Sequence, residues 1–154
     1  MGRTLYDKDF SNMTAEEDEA FMMEDTPLEQ VKAAHPEWGE QLKRLEKGIQ
    51  EDTDAPWEKG IEDKVRFALI LNKCCFFAKL WRGKVLAVTG LFPGDVAIIM
   101  ELPSLVLIRD VDENLLRYLG RYAHGFSVHP NGDGIRVTID LPYPQEESNV
   151  VRLR

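Results

Sequence analysis

The spacing of apolar and polar residues changes several times along the chain. From residue 26, "TPLEQVKAAHPEWGEQLKRLEKGIQ" opens with Thr26 as N-cap, Pro27 at the first helical position and Glu29 three residues after the cap. That combination predicts a helix start. Pro36 disfavours helical geometry in the residue before it, so the helix pauses near His35 and a second one opens at the proline. His35 reads as a cap or hinge residue. Trp38, Leu42, Leu45 and Ile49 then recur at steps of four, three and four, which marks one apolar helical face. Glu40, Lys43, Arg44 and Lys47 occupy the other side. "EDTDAPWEKG" at 51–60 is polar and turn-rich; it predicts a linker, or a helix start with Asp54 capping and Pro56 in the first turn.

The stretch "KVRFALILNKCCFFAKLWRGK" at 64–84 supports two patterns. As a helix it is apolar on two faces, which requires a central position. As strands, its second half and "KVLAVTG" form a hairpin around Arg82-Gly83. The combined expectation is a helix from about Trp57 to Asn72, then strands at 75–81 and 85–90. Downstream, "LFPGDVAIIMEL" predicts a turn and a strand at 95–102, and "SLVLIRD" another strand. "VDENLLRYLGRYAHG" predicts a helix capped by Asp112 and stopped by Gly125. Phe126, Val128, Ile135, Val137 and Ile139 alternate around Asn131-Gly132-Asp133-Gly134, the best hairpin pattern in the chain.

The expected fold class is therefore α+β: N-terminal helices followed by a mostly antiparallel sheet carrying one further helix. Residues 1–25 hold eight acids and two bases with few branched aliphatics, and read as an acidic flexible arm. Residues 26–142 form a single α+β domain, and 143–154 a C-terminal tail.

Composition changes this picture mainly through charge. The 154 residues carry a net charge of −8, divided unevenly. Residues 1–63 carry −11, residues 64–94 carry +6 with no acid at all, and residues 95–154 carry −3. The overall acidity argues against a general nucleic-acid binder, which needs a basic footprint. No signal-peptide core and no bilayer-length apolar run is found, so a cytoplasmic protein is expected. The only cysteines, Cys74 and Cys75, are neighbours. Adjacent Cα atoms are too close for ordinary disulfide geometry, and the two thiols read as small buried hydrophobes.

No phosphate loop, metal spacing or nucleophile–base arrangement is present in the sequence. No catalytic residue, cofactor or metal is predicted. Within the arm, Thr14 and Glu17 have capping-box spacing, and Glu16, Glu17, Asp18, Glu19 and Glu24 surround an apolar trio of Phe21, Met22 and Met23. These eight acidic and apolar residues are the expected partner-binding element. The leading function is a small acidic interaction module (inhibitor, immunity-type neutraliser or adaptor) that binds another protein through its acidic N-terminal half. Imitation of nucleic-acid charge is a special case of that reading. One alternative is an enzyme with an unfamiliar site around His124, His129 and Asp133. Another is single-stranded nucleic-acid binding through 64–84, where cations alternate with aromatics. Homo-oligomerisation, with acidic and basic segments pairing between subunits, is a further option.

Overall fold

A computed structural model of the chain describes residues 3–51, 63–90, 94–103 and 123–143. The side chains of residues 24, 25, 49 and 50 lie outside that description. In chain order the elements are strand β1 (Arg3–Asp9), helix α1 (Ala15–Ala20), a π-helical turn (Phe21–Asp25), α2 (Pro27–Ala34), a 3₁₀ turn (Pro36–Trp38), α3 (Gly39–Glu51), α4 (Asp63–Leu80), β2 (Lys84–Thr89), β3 (Asp95–Leu102), β4 (Gly125–Asn131) and β5 (Gly134–Pro142).

The fold is α+β. Its five strands form one sheet in the order β1-β2-β3-β5-β4, with every neighbouring pair antiparallel. Alternation along the strands sends Val85 and Ala87, Val96, Ile98, Met100 and Leu102, and Val137, Ile139 and Leu141 to one buried face. Helix α4 lies on that face, and α2 and α3 pack on α4. The result is three layers: sheet, α4, and the α2–α3 pair.

This layering explains why α4 has no polar stripe. Val65, Leu69, Ile70, Cys75 and Ala78 are all essentially inaccessible, because the helix meets apolar neighbours on two sides. Each fully buried Leu, Ile or Phe side chain contributes about 1.5–3 kcal/mol relative to an exposed one. One polar group in this layer has a defined task. Asn72 is buried, and its Oδ1 accepts a 3.0 Å hydrogen bond from the backbone N–H of Leu28. It therefore caps the first turn of α2 from another element, while Thr26 Oγ1 accepts from the Glu29 N–H at 3.1 Å. At the other end of α2, His35 is the C-cap, and its ring stacks on Trp38 with centroids 3.8 Å apart.

Two expectations are corrected. First, residues 75–80 continue the helix and Trp81 begins the turn after it, instead of forming a strand. Leu80 is followed by a Schellman-type ending: Gly83 N–H bonds to Ala78 C=O at 2.8 Å and Arg82 N–H to Lys79 C=O at 3.2 Å. Arg82-Gly83 is thus a helix stop leading into β2, not a hairpin turn. The aromatic run in "CCFFAKLW" resembles a strand because it serves a helix packed on two sides.

Second, residues 3–25 are part of the domain. β1 pairs with β2 as an edge strand, with a bulge at Leu5, and Phe10 and Phe21 are buried in the core. An average over 25 residues concealed these two aromatic anchors. The charges of Asp7, Lys8 and Asp9 suit an edge that must not pair further. The expected fold class holds, with β1 joining the antiparallel sheet from ahead of the helices. The strands predicted at 85–90 and 95–102 and the hairpin over 126–139 are present as β2, β3 and β4–β5, with Gly132 at φ +64° in the turn. The helix predicted at 112–124, the strand in "SLVLIRD", the linker from residue 52 to 60 and the tail after Tyr143 fall outside the described residues, save the ends at 51, 103, 123 and 124.

Candidate docking surface

The eight residues expected to bind a partner begin on α1. Thr14 Oγ1 accepts from the Glu17 N–H at 3.1 Å, and Glu17 Oε1 accepts from the Thr14 N–H at 2.9 Å, so the capping box is complete. A six-residue helix with no buried residue has little stability of its own. It is held by two tertiary contacts instead. Arg82 donates to both carboxylate oxygens of Asp18, at 3.1 and 2.8 Å. Phe21, one step beyond α1, enters the core, meeting Phe10 edge-on at 5.2 Å and Phe76 at 6.2 Å.

These two contacts set the direction of the segment. Asp18 faces Arg82 just past the end of α4, and Phe21 faces Phe76 one turn before that end. The α1 helix and its π-helical turn thus run along the last turns of α4. Phe21 is unavailable to a partner, because its exposure is 1%. Its neighbours differ: Met22 is 50% exposed, Met23 72%, Phe76 37% and Leu80 71%. Glu16, Glu17 and Glu19 are exposed, Asp18 is occupied by Arg82, and the side chain of Glu24 lies outside the described residues. Phe76 and Leu80, four residues apart on α4, are the members of this surface that sequence reasoning missed. Their spacing was visible; their exposure was not, because the same segment was read as strand.

The hydrogen bond from Arg82 holds the Asp18 carboxyl below the usual carboxylate range, and the same bond raises the Arg82 guanidinium. Arg82 also has φ +57°, the left-handed region that glycine favours at this position of a helix ending. Gly83 next to it has a different requirement: a Cβ there would strike the Glu101 carbonyl oxygen.

The other cations of 64–84 are dispersed. Arg66 is buried, Lys64 lies 5.9 Å from the Tyr143 ring centroid, and Lys84 stands in the sheet opposite Asp9 and Glu101. Phe67 is buried edge-on against Tyr143 at 5.1 Å. Cations and aromatics here do not share one track. Cys74 and Cys75 are buried, and burial pushes both thiols upward, Cys75 to about 12.

The imidazoles are also separated. His124 precedes β4 and His129 lies five residues along it, roughly 16 Å away at strand spacing. His129 is opposite Arg136, and Asp133 sits in the following turn. His124 instead meets Asp95, with Nδ1 3.0 Å from Oδ1, and donates its backbone N–H to the Asp140 carbonyl at 2.7 Å. Desolvation raises the Asp140 carboxyl; Asp95 adds to this and His124 opposes it. Among the described residues, no group of three His, Cys, Asp or Glu side chains is disposed to hold a metal ion. No described helix is long and apolar enough to cross a membrane. No family model, curated protein or solved structure matches the chain.

Proposed function

We propose that this protein is a non-catalytic interaction module that binds a partner protein through its acidic N-terminal half. The binding surface is α1, its π-helical turn and the last turns of α4. The observation that carries this reading is the set of exposed apolar side chains, Met22, Met23, Leu80 and Phe76, beside the exposed carboxylates of α1. Phe21 on Phe76 and Asp18 on Arg82 bring the two segments that bear these side chains together, and exposed apolar surface rimmed by polar groups marks interaction sites. The surface stands on a rigid base, because Phe21 and Asp18 anchor the short helix. Inhibitor, immunity-type neutraliser and adaptor all fit such a module.

The test is affinity capture from the native host with the wild-type chain and with the double variant Met23→Ser, Leu80→Ser. A specific partner should be recovered by the wild type and lost with the variant, while far-UV circular dichroism stays unchanged. Equal recovery by both would remove this surface from the binding site.

A second reading, acid–base chemistry at His124, has one observation in its favour. The Asp95 carboxylate sits on Nδ1, which leaves Nε2 as the atom facing any reactant. If that reading held, Asp95→Asn would abolish a turnover activity and leave partner capture intact.

A further inference from the structure

We propose that the occupant of this surface is a cationic amphipathic helix, presented by the partner. The proposal rests on the interaction reading above and adds the chemistry of what is bound.

Shape comes first. The surface is built from a short helix, a π-helical turn and the end of α4. None of these offers a strand edge, so a peptide cannot be recognised here by backbone pairing. Recognition has to run through side chains, which is how an amphipathic helix docks: apolar residues at i, i+3, i+4 and i+7 enter an apolar surface. Two of the exposed apolar residues are methionines. Unbranched thioether side chains adapt to different partner shapes at helix-binding surfaces.

Charge comes second. Glu16 and Glu19 form no ion pair among the described residues, and Glu17 is exposed while serving the capping box. Asp18 is the member of the run already matched, by Arg82. Lys79 and Arg82 lie near Asp18, and Lys8 Nζ is 5.7 Å from the Phe21 ring centroid, so the positive charge of this surface gathers around Asp18 and Phe21, apart from the unmatched Glu16 and Glu19. A bound cationic helix therefore has one allowed orientation. Its basic side must lie along Glu16 and Glu19, its apolar side over Met22, Met23 and Leu80, and its remaining edge toward Arg82 must carry no positive charge. An anionic helix would be repelled by the exposed Glu16, Glu17 and Glu19, and Arg82, already matched by Asp18, would offset little of that.

The probe is a synthetic 18-residue Leu/Lys amphipathic helix, titrated into the full chain and followed by fluorescence anisotropy. Two comparison peptides are its Leu/Glu counterpart and a scrambled Leu/Lys sequence with equal charge and no apolar face. The Leu/Lys helix should bind best, with affinity falling as salt rises. Glu16→Gln with Glu19→Gln should weaken it roughly tenfold at low salt. The pair Glu40→Gln with Glu46→Gln, exposed on α3 and equal in charge change, should leave it nearly unaltered. Leu80→Ser should weaken the Leu/Lys helix and leave the scrambled peptide unaffected.

Equal loss from the two charge pairs would overturn the proposal, because only net charge would then matter. So would equal binding of the scrambled peptide, preference for the Leu/Glu helix, or no binding of any peptide. The two levels separate cleanly. If a host partner is captured in a Leu80-dependent way and the Leu/Lys helix fails to compete, the interaction reading stands and the cationic-helix proposal falls. If capture itself ignores Leu80, both fall.

Discussion

The α1 segment meets the end of α4 through Phe21, just past α1, on Phe76 and through Asp18 on Arg82, just past α4, yet the two helices dispose of their side chains in opposite ways. α4 has 18 residues, and 11 of them are buried; α1 has six and buries none. In α4, thiols, an arginine and an asparagine are enclosed and their chemistry is suppressed or spent on structure. In α1, three carboxylates face water, and of these only Glu17 has a structural task, closing the capping box. The comparison teaches that residue type is a poor guide to function until burial is known. Two vicinal cysteines look chemically interesting and are walled in; a run of glutamates looks bland and is the accessible surface.

The strongest test of this contrast is Ile70→Ala. Ile70 has zero exposure and lies in the layer between sheet and helices. Its truncation should lower the unfolding free energy by about 2–5 kcal/mol in urea titration, while the folded fraction binds the Leu/Lys helix as before. A loss under about 1 kcal/mol would mean that α4 is not the central layer. Asn72→Ala comes next. It leaves the buried Leu28 N–H without its acceptor and should cost about 1–3 kcal/mol, with faster hydrogen exchange localised to the first turn of α2. Unchanged exchange there would show that the cap is dispensable. A chemical test is milder still. With both thiols raised by burial, Cys74 and Cys75 should react with an aromatic disulfide reagent at pH 8 only as fast as the protein unfolds. A rapid native-state phase would reveal that α4 opens locally.

The parts of this arrangement legible beforehand are those governed by local rules. Thr14 with Glu17, Thr26 with Pro27, and the Asn131–Gly134 turn each satisfy backbone geometry within a few residues, and each is where the spacing placed it. α4 was half legible. Apolarity on two faces correctly implied a central helix, but local pattern cannot separate "CCFFAKLW" as a buried helix from the same letters as a strand. What decides it is a layer above and a layer below, which are long-range facts. Of the eight residues proposed for docking, Phe21 is the one whose burial excludes it, because composition groups it with its exposed neighbours. The Asp95–His124 contact and the raised Asp140 were invisible, because they join three chain segments through sheet register.

The smallest predicted effect sharpens the comparison most, since it sets two carboxylates against each other. Asp18 is held below its ordinary range by Arg82, and Asp140 is pushed above it by burial and by Asp95. A lowered folded pKa contributes stability above the unfolded value near 3.8, and that contribution disappears as pH falls through the folded pKa. A raised folded pKa acts in reverse: its contribution is complete below the unfolded value and lost as pH rises through the folded one. Asp18→Asn should therefore be less stable than the wild type at pH 7, and Asp140→Asn more stable. The Asp140 difference should vanish as pH falls below the unfolded value near 3.8, and the Asp18 difference should persist further, shrinking only as pH falls through its lowered folded pKa. Urea midpoints at several pH values measure this directly. If Asp18→Asn left the midpoint unchanged or raised it at neutral pH, Arg82 would not be clasping α1, and the surface on which docking is proposed would lose its anchor.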